Sequence, residues 1–333
     1  MTMDALGRPL RDLRISVTDR CNFRCTYCMP KKIFNREYEF LQRDLLLTFE
    51  EITRVASVFA GNGVEKVRIT GGEPLLRRNI EDLLGMLAQV KGITDVTLTT
   101  NGSLLERKAE GLAAAGLKRV TVSLDSIDDE VFVAMNDVGF PATQVLDGIT
   151  AASEAGISVK INMVVKRSFN DHTVVEMAEH FRGTGHTVRF IEYMDVGTTN
   201  GWRLDDVVSG AEIVKMISKK FPLTASDPNY VGEVARRWEY TDGQGEIGVI
   251  TSVTEPFCST CTRARISAEG VMYTCLFASF GQDLRGPLRE GATDEELSTT
   301  ISSVWSNRVD QYSEIRSTQT VALPKVEMSY IGG

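Results

Sequence analysis

The sequence predicts an α/β protein, an open, partial barrel of six βα units followed by a smaller C-terminal domain. Three observations carry this expectation. Short β-branched runs alternate with amphipathic helical stretches up to about residue 200, which implies parallel strands joined by right-handed crossovers. Polar motifs recur just after the strand-like runs, where α/β barrels place their chemistry. Six such runs are too few to close an eight-stranded barrel, so the barrel is expected to be open.

The first strand is expected at Leu13–Val17 and runs into a loop with three cysteines. A helix at Thr48–Ala60 leads to a strand at Lys66–Thr70, which ends on Gly71-Gly72-Glu73-Pro74. The helix Asn79–Val90 precedes the strand Asp95–Thr99, which closes on Thr99-Thr100-Asn101-Gly102. The helix Leu104–Ala115 precedes the strand Arg119–Leu124, with Ser123-Leu124-Asp125-Ser126 at its end. The helix Thr143–Ala155 leads to the strand Ser158–Val165, and the helix Asp171–Arg182 to the strand Thr187–Tyr193, followed by Met194. Gly, Pro and Asn then become frequent between Asp205 and Gly245, and the rhythm is lost. A hairpin of Arg263–Ser267 and Met272–Leu276 is expected to turn at Glu269-Gly270, with a helix near Thr293–Trp305 beyond it. The expected division is therefore 1–205 for the barrel and 206–333 for a smaller domain or extension on its open side.

Composition narrows the function classes. Hydrophobic residues make up 42% and charged residues 25% of 333 residues, ordinary values for a globular protein. The net charge of −8 argues against a dedicated nucleic-acid binder, which normally presents a basic face. Met1 to Leu10 contains no apolar core of a secretory signal, and no run approaches the ~18 apolar residues of a membrane span. Neither nucleic acid nor membrane is expected as a partner. Oligomeric state is not legible, and a homodimer stays open.

All six cysteines fall into two sets of three. Cys21, Cys25 and Cys28 have the spacing C-x3-C-x2-C, which brings three thiolates into one short loop. Three is one fewer than saturates a 4Fe–4S cube, so one iron would stay open to a ligand. It is also one fewer than a closed zinc site uses. A disulfide plus an odd thiol conflicts with the reduced thiols of a chain lacking secretion marks. A zinc site with a distant fourth ligand finds few candidates: His172, His180 and His186 lie in or near one helical stretch and read as surface or packing residues. Cys258, Cys261 and Cys275, spaced C-x2-C-x13-C, form the second set, as a second three-thiolate cluster or as a zinc knuckle.

Cations accompany both sets. Arg263 and Arg265 share one face of a strand; they form an anion site beside the cysteines, or they guard an edge strand. Arg14, Lys66, Arg68, Lys160 and Arg189 sit on strands whose barrel-facing positions normally hold branched apolar residues. Charge there needs a partner or a ligand, and the concentration points to a polyanion such as a nucleoside triphosphate. Lys66 is the one expected to face solvent. The Gly71-Gly72 turn allows backbone to approach a ligand closely, although a structural turn would read the same way. The terminal Gly332-Gly333 would ordinarily be a frayed end.

Together these motifs resemble the radical S-adenosylmethionine (SAM) superfamily. Over nearly the whole chain the sequence is similar to its GTP 3′,8-cyclase family, most specifically in the first cysteine loop, the Phe257–Arg265 run, Thr274-Cys275-Leu276-Phe277 and the diglycine end. The resemblance implies a partial barrel of radical SAM type and a C-terminal domain with a second iron–sulfur cluster. It implies a lyase of molybdenum cofactor biosynthesis with two 4Fe–4S clusters, held by Cys21, Cys25 and Cys28 and by Cys258, Cys261 and Cys275. SAM would meet Tyr27, Gly72, Ser123 and Met194. GTP would meet Arg14, Arg68, Thr99, Lys160, Arg263 and Arg265, its guanine held at the open iron of the second cluster, with Lys66, Arg189, Gly332 and Gly333 in support. A 5′-deoxyadenosyl radical would take hydrogen from C3′ of GTP, which then cyclises onto guanine C8. A reductant such as flavodoxin or ferredoxin and a downstream cyclic pyranopterin monophosphate synthase are the implied partners. Clusters of this kind need a reducing setting, so the cytoplasm is the expected location.

Cys25→Ala should abolish 5′-deoxyadenosine formation by the reconstituted, reduced protein, because the cube loses one of its three thiolates. Anaerobic chromatography of the products checks this, and a parental rate would refute the reading of the loop.

Overall fold

A computed structural model describes residues 1–230, 232–316 and 324–332. In chain order the elements are β1 (Asp12–Ser16), α1 (Phe49–Gly61), β2 (Lys66–Thr70), α2 (Ile80–Ala88), β3 (Asp95–Thr100), α3 (Leu105–Ala114), β4 (Arg119–Ser123), α4 (Asp129–Asn136), α5 (Ala142–Glu154), β5 (Ser158–Val165), α6 (Val174–Phe181) and β6 (Thr187–Glu192). There follow α7 (Gly210–Ser218), β7 (Leu223–Ser226), β8 (Arg236–Tyr240), β9 (Glu246–Ile250), β10 (Arg263–Ile266), β11 (Val271–Tyr273), β12 (Gln282–Asp283), α8 (Arg285–Arg289), α9 (Asp294–Ser306) and the short α10 (Met328–Ile331).

Among the described residues, all strands join one 12-stranded sheet in the order β12-β11-β10-β1-β2-β3-β4-β5-β6-β9-β8-β7. Strands β1 to β6 run parallel in sequence order. The C-terminal segment adds one more parallel strand on each side, β10 beside β1 and β9 beside β6. Antiparallel strands then finish both edges. The edge strands β12 and β7 do not pair with each other, so the sheet is a partial barrel, as expected for the fold class.

Alternation along each strand separates two environments. Leu13, Ile15, Val67, Ile69, Leu98, Val120, Val122, Ile161, Met163, Val188, Phe190, Ala264 and Ile266 belong to the main hydrophobic core with the buried faces of α1, α2, α3, α5 and α6. The intervening residues turn inward and are largely polar or charged. Three helices, α1, α7 and α9, begin on caps legible in the sequence: Thr48 with Glu51, Ser209 with Glu212 and Thr293 with Glu296 each form a reciprocal capping box.

The structure adds elements where no regular structure was expected. Helix α4 lies between β4 and α5, and β7 and β8 are short strands of polar residues whose pattern lacks an apolar run. The expected helix at Asp171–Arg182 opens with a 3-10 turn, Asp171–Thr173. No helix among the described residues is long and apolar enough to cross a membrane.

Ile69 is fully buried at the centre of β2. Ile69→Ala should lower unfolding free energy by about 2–5 kcal/mol through lost burial and the cavity left behind. Urea titration measures this, and an unchanged midpoint would contradict the packing described.

Candidate active site

The inward-facing residues line a cavity of about 560 Å³. All six cysteines border it, together with Tyr27, Gly72, Ser123 and Met194, and with Arg14, Arg68, Thr99, Lys160, Arg263 and Arg265. Arg189 and Lys66 border it as well. The expectation that Lys66 faces solvent is corrected: it is inward on the parity of Arg68, pairs with Asp95 at 3.4 Å and lies 5.3 Å from the Tyr230 ring centre. None of the histidines lines the cavity. His186 lies 3.3 Å from Ser153 Oγ, and His180 packs edge-on against Phe181.

Strand register builds the cationic wall. Arg14 on β1 is the partner of Arg265 on β10 and of Arg68 on β2, so three guanidiniums stand side by side in one row. Thr99, Thr121 and Lys160 form the next row, and Ser123, Asn162 and Arg189 another. Arg68 donates to Thr99 Oγ1 at 3.1 Å and to Thr121 Oγ1 at 3.0 Å, and Arg189 donates to the same Thr121 oxygen at 3.0 Å. Burial, then the charges of Arg265, Arg263 and Arg68, pushes the Arg14 pKa well below its ordinary value. Burial and neighbouring cations bring Arg265 down to about 10 and Arg189 to about 9. Arg189 Nε is a buried donor with no hydrogen-bond partner among the described residues. Such a wall is short of negative charge and of acceptors, and a polyanion supplies both.

The first cysteine loop hangs from the ends of the early strands. Burial, then Glu73, pushes the Cys21 thiol up to about 12. Burial, Asp125 and the two neighbouring thiols push Cys25 well up, and burial, then Cys21, raises Cys28. Thiols that oppose one another's ionisation are stable as thiolates around a shared cationic centre. Around the second triad, burial and Asp310 push Cys275 up to about 12. Burial raises Cys261 too, but Arg263 and Arg308 outweigh it and bring that thiol to about 6. Among the described residues no group of three His, Cys, Asp or Glu side chains could hold a single metal ion. A tetrahedral zinc needs such convergence, whereas thiolates on separate irons of a cluster stand farther apart.

Glu73 fixes the glycine turn. Its buried carboxylate accepts from Leu75 N at 2.9 Å, Thr100 Oγ1 at 2.8 Å and Asn101 N at 2.7 Å, which ties the end of β2 to that of β3. Burial outweighs these bonds and raises its pKa to about 7. Gly72 packs on the Asp19 and Arg20 carbonyls, into which a Cβ would project. Gly332 reaches the same region. It accepts a hydrogen bond from Arg265 Nη1, its φ is +76°, and a Cβ there would overlap Thr70. Gly333 lies outside the described residues.

Several residues of the site carry no individual role in the sequence-based expectations, although Asn101 and Asp125 stand in the polar motifs at the strand ends. Asp125 accepts from Tyr27 Oη at 2.9 Å and from Val164 N at 2.9 Å, Asn101 Nδ2 lies 3.8 Å from Cys21 Sγ, and Arg119, Thr121 and Asn162 face inward. Their strand parity with Lys160 and Ser123 was the available signal.

Comparison with known proteins now has a frame. Residues 15–181 match the Radical SAM superfamily and residues 186–314 match Molybdenum Cofactor Synthesis C. A GTP 3′,8-cyclase of Acidothermus cellulolyticus is 51% identical over 99% of this chain and 98% of its own length. One from Staphylococcus epidermidis is 49% identical over the same shares. The structure of Streptococcus suis SuiB bound to S-adenosylmethionine aligns over 89% of this chain and 68% of its own, with a TM-score of 0.61 at 18% identity, a likeness of fold. The fold and the cysteine loop thus define a radical SAM enzyme, a class that works with SAM and an iron–sulfur cluster. Within that class the chain belongs to the GTP 3′,8-cyclase family.

Gly72→Ala should destabilise the turn by about 1–3 kcal/mol, the range for forcing a methyl group into packed backbone. Thermal unfolding of the protein without cofactors reads this directly, and a shift within error would mean the turn has room to spare.

Proposed function

We propose that this protein catalyses the first step of molybdenum cofactor biosynthesis, the conversion of GTP to (8S)-3′,8-cyclo-7,8-dihydroguanosine 5′-triphosphate. The observation that carries the proposal is the single cavity bordered by both cysteine triads and by the row of Arg265, Arg14 and Arg68. Cys21, Cys25 and Cys28 would hold one 4Fe–4S cluster, and Cys258, Cys261 and Cys275 a second. When bound, the first cluster and SAM supply a 5′-deoxyadenosyl radical that takes the hydrogen from C3′ of GTP.

The chain's own residues do the rest. Tyr27, Gly72, Ser123 and Met194 position SAM beside the first triad. Tyr27 is fixed for that by Asp125. Arg14, Arg68, Thr99, Lys160, Arg263 and Arg265 hold GTP, with Lys66 and Arg189 adding charge for the triphosphate, and a second cluster held by Cys258, Cys261 and Cys275 would offer a Lewis-acidic site for the guanine. Clamping the nucleotide at both ends fixes the ribose, so C3′ meets C8 of its own guanine to close the new ring. The cavity walls keep water and stray C–H bonds away from a reactive carbon centre. A one-electron donor of the flavodoxin or ferredoxin kind and a cyclic pyranopterin monophosphate synthase downstream complete the scheme, in the cytoplasm. The division at residue 205 follows the same logic, one triad to each side.

Anaerobic reconstitution with reductant, SAM and GTP tests the reaction. Mass analysis should find 5′-deoxyadenosine and a cyclised nucleotide isomeric with GTP, and SAM cleavage that ignores GTP would refute it. Reconstituted protein should hold about eight irons, falling to about four when Cys258, Cys261 and Cys275 are replaced by Ala. A parental content near four, with zinc present, would make the second triad structural. A chain ending at Ile331 should assemble both clusters yet form little or no cyclised nucleotide, because Arg265 loses its Gly332 partner. Full product formation by that chain would remove the tail from the mechanism.

A further inference from the structure

Beside the second cysteine triad, and bordering the cavity through Arg308 and Asp310, lies a buried charge network that the reaction scheme does not use. Its hub is Asp4, whose side chain is 0% exposed. The carboxylate accepts from Leu6 N at 2.9 Å, Arg8 N at 2.8 Å, Arg8 Nε at 2.6 Å and Arg308 Nη1 at 3.2 Å. Both arginine side chains are 2% exposed. Each reaches past Asp4 to the backbone of a cysteine. Arg8 Nη1 donates to the carbonyl of Cys258 at 2.8 Å and to that of Asp310 at 2.8 Å. Arg308 Nη1 donates to the carbonyl of Cys261 at 2.8 Å. Trp305 Nε1 holds the Arg8 carbonyl at 3.1 Å, and the Arg308 guanidinium lies 4.6 Å from the Trp305 ring centre.

The arrangement is expensive as mere packing. Two buried guanidiniums face one buried carboxylate, and the second acid, Asp310, is partly exposed and, among the described residues, pairs only with Arg308, at 3.4 Å. Arg8 Nη2 is buried without a hydrogen-bond partner among the described residues. Apolar residues of similar volume would commonly be as stable or more so. What the charges do that apolar residues cannot is grip two cysteine-bearing carbonyls and hold positive charge beside three thiolates. The reduction potential of a thiolate-held cluster follows its net charge, its hydrogen bonds and its exposure.

We propose that Asp4, Arg8 and Arg308 form an electrostatic cradle for the second iron–sulfur cluster. In it Arg8 and Arg308 are positioning residues that hold the Cys258–Cys261 loop and raise the cluster's reduction potential, and Asp4 limits that rise. The proposal rests on reading Cys258, Cys261 and Cys275 as cluster ligands. It makes the N-terminal segment part of the second site, although residue 4 and residue 258 are remote in sequence.

The test uses the full chain with Cys21, Cys25 and Cys28 replaced by Ala, so that one cluster titrates. Arg8→Gln and Arg308→Gln should move its midpoint potential to more negative values. Arg8→Lys and Arg308→Lys should keep the parental potential but release iron to a chelator about tenfold faster or more, each having lost a charge-assisted hydrogen bond. Gln variants with parental potential and parental iron release overturn the proposal. Asp4→Asn decides the matter if a Gln variant does not fold. It keeps both cations and removes the buried anion, so the potential should move to more positive values, and a potential that stays or falls overturns the cradle. A parent chain that takes up zinc and no iron in this background instead refutes the cluster reading beneath it, which separates the two failures.

Discussion

Three arginines side by side, Arg265 buried and Arg14 and Arg68 half-buried, all facing the same space, set the condition to which the rest of the structure answers. Parallel register leaves no freedom here: once Arg14 is placed on β1, Arg265 and Arg68 are its neighbours on either side. Their charges oppose one another and burial weakens their hydration, so the row is eased where hydroxyls, backbone carbonyls or an anion answer it. Thr99 and Thr121 answer Arg68, and the Gly332 carbonyl answers Arg265. Burial, with the charges of Arg265, Arg263 and Arg68, holds the proton affinity of Arg14 well below its ordinary value. The apolar alternates of the same strands, packed under the helices, bear the stability that lets the inner face be built for a ligand.

The two cysteine triads meet one cavity by different routes. The first belongs to a loop pinned from beneath, through Asn101 near Cys21 and through Glu73, which locks the glycine turn to β3. The second is carried in by β10, whose pairing with β1 brings residues from the far end of the chain to the barrel's first strand. Arg263 marks the junction: it belongs to the cavity wall, yet its Nη2 lies 3.3 Å from Cys261 Sγ.

The barrel was legible in the sequence because its signals are local. Lys66–Thr70 and Ser158–Val165 stand as expected to the residue, since β-branched runs bounded by caps and turns leave little choice. The site was legible wherever a cation or cysteine broke an apolar strand pattern. What escaped depends on partners distant in sequence. Thr121 and Asn162 read as ordinary strand residues until register sets them beside Arg68 and Arg189. Lys66 was read as solvent-facing because nothing nearby announces the Tyr230 loop above it. Strand β7, Leu-Thr-Ala-Ser, has no apolar run, and exists because β8 offers it an edge. Helix α7 lies in a stretch broken by Gly and Pro, and its clearest local signal is the Ser209–Glu212 capping box.

The placement of β10 and β9 has a consequence for how the chain comes to be folded. Until residue 250 has been synthesised, β6 has an open edge, and until residue 266 has, so does β1. A nascent chain that has already formed its six central strands therefore presents two unsatisfied, strongly apolar-backed edges, the kind of surface that pairs with other chains. The strand that covers β1 follows directly on Cys258 and Cys261, so the same closing step that protects the sheet delivers these two cysteines, and the hairpin partner β11 then brings Cys275. Sheet completion and assembly of the second site are thus one event in the life of the molecule.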